Sequence, residues 1–260
     1  RFPRCCGSCS ASDRSRKGSS LPQSVSEQSA NDEKNPYLCR MEPTSRKYLF
    51  FDLDGTLTDS MPGIARAVQY ALRRFGIDVQ DLAALKPFLG PPLRDSFMEF
   101  YGMSPEEADR AVAVSREYFV PRGMFENELY PGIPELLAAT AAAGRVNVIA
   151  TSKPQPFAER IAAHFGIDRH FRLISGSTFD GRRKTKADVI RHALSALGIA
   201  PGEAVMIGDR RYDVEGAAEE GLPAIAVEWG YAPPGELEAA RPLRIVPDVE
   251  TLRRLLLGNE

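Results

Sequence analysis

Asp52 and Asp54 flank Leu53 directly after the apolar run Tyr48, Leu49, Phe50 and Phe51. Side chains of a strand alternate with period two, so both carboxyls leave on one side where the strand runs out. Two anions held that close are costly without a cation. A second apolar run, Val146 to Ala150, ends in Thr151 and Ser152, and a third, Ala204 to Ile207, ends in Gly208 and Asp209. Parallel sheets bind ligands at the carboxyl ends of their strands, so the three polar clusters are expected along one edge. A lone strand-ending aspartate or Thr-Ser pair is an ordinary helix cap; three together point to a site. Asp52, Asp54 and Asp209 would give a hard cation such as magnesium its oxygens, with water and a phosphate completing the shell. Zinc would prefer cysteine or histidine, and His164, His170 and His192 form no motif.

The elements that must hold these residues follow from periodicity. Residues 48–53 read as a strand buried on both faces. Ile64, Val68, Ala71, Leu72 and Phe75 recur at helical spacing up to Gly76, where a glycine suits the C-terminal stop. Ser104, Pro105 and Glu107 spell a capping box that opens a second helix. Residues 60–128 are thus mostly helical, broken at Gly90, Pro91 and Pro92. From Pro134 onward helices at 134–143, 156–165, 186–197 and 214–220 alternate with strands at 146–150, 171–174, 204–207 and 224–227. An edge strand at 243–245 and a helix at 249–257 close the chain. Such alternation predicts an α/β fold with a parallel sheet covered on both faces, and the helical stretch marks an inserted module.

Of 260 residues, 43% are hydrophobic and 26% charged, with a mean hydropathy of −0.27. This is a globular composition, and no apolar run approaches a membrane span. All four cysteines, Cys5, Cys6, Cys9 and Cys39, lie in the first 39 residues. Cys6 and Cys9 form a CxxC without a second pair or a nearby histidine, which makes a poor zinc site and leaves them incidental. A cysteine-free body fits a reducing, cytoplasmic compartment. Residues 1–30 hold nine serines and two acids without apolar period, and 1–45 read as a disordered extension. An organellar transit peptide is the alternative for this stretch. Translation from Met41 would leave a chain of 220 residues. The formal charge is −2, with an excess of basic residues before residue 48 and of acidic ones after it. An acidic body without a recognition module argues against nucleic acid. Neither GxxxxGK nor GxGxxG occurs, so nucleotide-triphosphatases and dinucleotide enzymes lack their phosphate loops.

FDLDGTLTDS, Phe51 to Ser60, resembles the first motif of the haloacid dehalogenase-like superfamily in its phosphatase branch. The resemblance runs on through VIATSKP (148–154), GSTFDGRRKTKADVI (176–190) and IGDRRYD (207–213), and covers about residues 46–255. It implies a three-layer Rossmann-like core, residues 46–60 and 129–258, with a mostly helical cap at 61–128. It also implies hinges near Ser60 to Gly63 and Leu129 to Gly132. Asp52 would be the nucleophile that becomes an aspartyl-phosphate, and Asp54 the general acid and base. Asp52 and Asp209 would bind Mg2+ by side chain and Asp54 by its backbone carbonyl, with Asp213 supporting the shell. Gly55, Thr151, the Ser152 backbone N–H and a lysine would hold the phosphoryl group. The spacing usual in this branch, which here gives Asp180, Gly181, Arg183 and Lys186, implies Lys186 for that lysine, with Lys184 the alternative.

FLGPPL, Phe88 to Leu93, is the cap loop expected to face the pocket, which makes Gly90, Pro91 and Arg94 candidates for substrate choice. A structural turn and an exposed helix arginine are the plainer readings of the same residues. Tyr212 stands where this branch commonly has histidine, a departure that bears on local hydrogen bonding or substrate preference. The expected activity is a Mg-dependent phosphomonoesterase acting on a small metabolite. The nearest likeness is to phosphoglycolate phosphatase-like and 5'-nucleotidase-like members. A phosphosugar mutase and a non-catalytic metabolite-binding protein are the alternatives. The partner is then a small phosphoester, not nucleic acid or membrane, and the state monomer or homodimer.

Overall fold

The computed structural model describes residues 46–258; the cysteines, Met41 and the whole of the predicted extension, residues 1–45, lie outside them. The first strand, β1 (Tyr48–Phe51), sits in the middle of a six-stranded sheet. The remaining strands of that sheet are β4 (Val146–Pro154), β5 (Phe171–Ser177), β6 (Ala204–Gly208), β7 (Ala224–Val227) and β8 (Arg244–Val246). They run in the order β5-β4-β1-β6-β7-β8, every pairing parallel. Phe51 lies level with Ile149 on one side and Ile207 on the other, so the residues that follow all three strands emerge at one edge.

Alternation sorts the sheet into two cores. Leu49, Phe51, Ile149, Val205 and Ile207 face α4 (Ile133–Ala142), α5 (Gln155–His164) and α9 (Val249–Leu257). Phe50, Val148, Ala150 and Met206 face α6 (Lys186–Leu197) and α7 (Arg211–Glu219). The expected α/β sheet, covered on both faces, is therefore present. Fully burying one such side chain contributes roughly 1.5–3 kcal/mol, which is why an uninterrupted apolar strand belongs at the sheet centre.

The inserted helical region has its own core. Val68 and Leu72 of α1 (Met61–Arg74), Phe97 of α2 (Leu93–Tyr101) and Ala108 and Ala111 of α3 (Pro105–Phe119) pack around Leu85 and Phe88. The Ser104 hydroxyl accepts from the Glu107 N–H at 3.2 Å and the Glu107 carboxylate accepts from the Ser104 N–H at 2.9 Å, the capping box read from sequence. A ribbon of β2 (Thr58–Asp59) and β3 (Glu128–Leu129) ties the entry and exit of this region together.

Several bounds move. Helix α2 was hidden in sequence by the Gly-Pro-Pro break that precedes it. Helix α7 starts at Arg211, three residues before the predicted start, because the Asp213 carboxylate accepts the Arg210 N–H at 3.1 Å and caps its first turn. No helix among the described residues is long and apolar enough to cross a membrane.

Candidate active site

β1 ends at Phe51, and the Asp52 N–H still donates to the Ile207 carbonyl at 2.9 Å, which fixes Asp52 at the sheet edge. Its neighbours across the edge are Asp209, directly after β6, and Asp213 in the first turn of α7. One carboxylate oxygen from each of the three lies within 4.8 Å of the others. Asp209 and Asp213 are 0% and 1% exposed. Three anions so placed need positive charge, and Lys186 supplies part of it: its Nζ stands 2.9 Å from Asp52 and 2.7 Å from Asp213, and donates to the Ala150 carbonyl at 3.1 Å. Burial alone would lower the lysine, but Asp213 and Asp52 reverse that and hold it above the ordinary lysine range. Burial pushes Asp213 up to about 6 against the pull of Lys186, and burial with the charges of Asp213 and Asp52 drives Asp209 well upward.

Three carboxylates against one ammonium leave the cluster short of positive charge. Its donors are all oxygen, the set a hard divalent cation takes, and the residues fit such an ion. Asp213 stands in this group as closely as Asp209 does. The Asp54 side chain goes elsewhere. Its Oδ2 pairs with Lys153 Nζ at 2.6 Å, while its Oδ1 is buried without a protein partner.

The turn that follows is built around Asp209. Gly55 has φ +82°, and a Cβ there would fall 2.2 Å from an Asp209 carboxylate oxygen, so only glycine allows the approach. The Thr56 hydroxyl donates to Asp209 at 3.3 Å. Thr151, 1% exposed, lies within β4, paired with Gly176 of β5, and its hydroxyl accepts the Lys153 N–H at 3.2 Å. Lys184 is exposed and its side chain takes no part in the cluster, whereas Lys186 is at its centre.

The cap loop reaches the core. Arg210 is fixed by Glu236 at 2.7 and 3.1 Å and donates through Nη1 to the Leu89 carbonyl. Gly90, at φ +107°, leaves room for that guanidinium, since a Cβ would meet Nη1 at 2.3 Å. Arg94 instead pairs with Asp109 at 2.7 Å, on a half-exposed surface.

A haloacid dehalogenase-like hydrolase family model matches residues 49–227. The chain belongs to this family. As a haloacid dehalogenase-like hydrolase carrying the Asp52, Asp209 and Asp213 cluster, it is a phosphatase of the phosphoaspartate type that acts on a small phosphoester. A 5'-nucleotidase of Pseudomonas aeruginosa is 47% identical over 208 residues, 80% of this chain and 94% of that protein. The tyrosine-protein kinase PtkA of Mycobacterium tuberculosis is 42% identical over 187 residues, 72% of this chain and 64% of that one. Among solved structures, a predicted phosphatase from Clostridium acetobutylicum superposes with a TM-score of 0.79 at 46% identity. The superposition covers 82% of this chain and 99% of that one.

Four residues that sequence reasoning assigned no role stand in this hydrolase site: Lys153, Arg210, Tyr231 and Glu236. Lys153 and Arg210 lay inside the quoted motifs, next to Ser152 and Asp209. Tyr231 and Glu236 had one signal, their position after β7 at the carboxyl edge of the sheet.

Proposed function

We propose that the chain is a Mg2+-dependent phosphomonoesterase whose substrate is a small phosphorylated metabolite, a nucleoside 5'-monophosphate ahead of phosphoglycolate. The observation that carries the reaction is the buried meeting of Asp52, Asp209 and Asp213 with the Lys186 ammonium at a sheet edge that also bears Thr151. The 47% identity to a protein named 5'-nucleotidase supports the order of substrates.

In this reading Asp52 attacks phosphorus and carries the phosphoryl group, splitting hydrolysis into two steps. Asp54 gives a proton to the leaving alcohol and later takes one from water; its partnerless Oδ1 supports a role in proton exchange. Thr151, the Ser152 N–H, the Gly55 turn and Lys186 hold the phosphoryl oxygens. Side chains of Asp52 and Asp209, with the Asp54 carbonyl, would hold Mg2+, and Asp213 would support that shell from its place beside Lys186. When bound, the ion supplies charge stabilisation to the transferring group.

Residues 61–128 act as the cap and 46–60 with 129–258 as the core. The Phe88 to Leu93 loop, with Gly90 and Pro91, meets the leaving group, while Arg94, paired with Asp109, stands further out in that role. The chain works on small molecules and not nucleic acid, as a monomer or homodimer, and its cysteine-free body supports a cytoplasmic setting.

The test is phosphate release from nucleoside 5'-monophosphates, phosphoglycolate, sugar phosphates, pyrophosphate and a phosphotyrosine peptide, with and without Mg2+. Magnesium-dependent release from the first two supports the reading. Retained bisphosphate with a sugar phosphate would make the chain a mutase, and no turnover of any ester would sink the assignment.

A further inference from the structure

The segment after β7, residues 229–236, contacts the turn after β1, Asp209, the β2–β3 ribbon, the start of α1 and Arg210. Trp229 Nε1 donates to the Thr56 carbonyl in the turn after the nucleophile strand at 3.1 Å. The Tyr231 N–H donates to Asp209 Oδ2 at 2.8 Å. The hydroxyl of Tyr231, a residue that is 8% exposed, donates to Asp59 at 2.7 Å and accepts the Met61 N–H at 3.0 Å. Asp59 lies on the β2–β3 ribbon and Met61 opens α1, so this hydroxyl sits on the hinge of the cap. Five residues on, Glu236 holds Arg210, which donates to the Leu89 carbonyl of the cap loop.

We propose that residues 229–236 couple cap position to the carboxylate cluster, with Tyr231 as the positioning residue. One residue binds the Asp209 carboxylate through its backbone and the hinge through its hydroxyl, so the hinge cannot shift without pulling on the loop that orients Asp209. The Glu236 and Arg210 pair repeats the link at the far side, where the cap loop meets the core. Because the two contacts leave one short loop, cap closure and the geometry of Asp209 are set together. For its kinetic readout this proposal rests on the phosphatase reading above.

Tyr231→Phe removes the hydroxyl and keeps the N–H on Asp209. Expected are a fall of about tenfold in kcat on the preferred nucleoside 5'-monophosphate, a Mg2+ concentration for half-activation within about twofold of wild type, and faster amide exchange at residues 58–66. A Tyr231→Phe, Asp59→Ala double variant should be no slower than the slower single variant, since both remove the Tyr231–Asp59 contact. Glu236→Gln, which loosens Arg210, should speed exchange at residues 86–93 and provides a second reading if Tyr231→Phe fails to fold. Unchanged exchange at both segments, additive losses, or a magnesium requirement that rises in step with the loss of kcat would overturn the coupling. Should wild type turn over no phosphoester, the phosphatase reading fails, and the exchange measurements still decide the coupling.

Discussion

Lys153 Nζ and Asp54 Oδ2 meet at 2.6 Å across the β1–β4 boundary, and the same ammonium lies 5.0 Å from the ring centroid of Phe119, the last residue of α3 in the cap. The pair engages Oδ2 and leaves Oδ1 without a protein partner, the oxygen that exchanges the proton in the proposed reaction. Lys153→Met should lower kcat between about tenfold and a hundredfold, less than Asp54→Asn, because the acid is still present but no longer held. Steady-state kinetics on one substrate checks it, and a Lys153→Met rate below that of Asp54→Asn would refute it.

Asp52→Asn should cost more than about 10⁴-fold in turnover with the fold kept, since an amide cannot form the covalent intermediate. Rapid quench with labelled substrate should trap a phosphoenzyme in wild type and none in the variant. Normal turnover would remove Asp52 as the nucleophile.

Lys186→Ala and Lys184→Ala separate two lysines that only Thr185 divides in sequence but whose surroundings differ, one buried in the cluster and one exposed. Removing the Lys186 ammonium leaves Asp52 and Asp213 buried beside each other, a change of about 3–5 kcal/mol in the magnesium-free protein. Activity should be lost with it. Exposed Lys184 can be truncated with stability and rate unchanged. Chemical denaturation and phosphate release, run on both variants, test the pair.

The magnesium-free protein should lose stability as pH rises. Asp213 is pushed up to about 6 from an ordinary aspartate value of 3.8, and Asp209 is raised as well. Between those limits the folded chain keeps protons that the unfolded chain gives up. The Asp213 contribution is complete below about pH 4 and is lost as pH rises through about 6, and Asp209 acts in the same direction. Added Mg2+ should raise the melting temperature more at pH 7.5 than at pH 5, since the ion competes with protons for the same oxygens. A larger shift at pH 5 would contradict the assigned cation site.

The chain of 260 residues determined much of this by local pattern alone. Apolar runs ended by Asp52, Thr151 and Asp209 gave the sheet edge, since period and burial are local properties. Ser104 with Glu107 gave the start of α3. The start of α7 escaped because the residue that caps it, Asp213, was already spoken for as a metal-shell aspartate, and Arg211 and Tyr212 carry no apolar period. The tertiary structure decided what depends on distance between remote segments. That Lys186 and not Lys184 enters the cluster follows from which face of α6 packs on the sheet. That Asp54 pairs with Lys153 follows from the β1–β4 register, 99 residues apart. That Tyr231 bridges Asp209 and Asp59 follows from where β7 ends in the sheet. Composition and spacing name the residue types a site needs, whereas ion pairs and hydrogen bonds form only between groups that folding brings within about 3 Å.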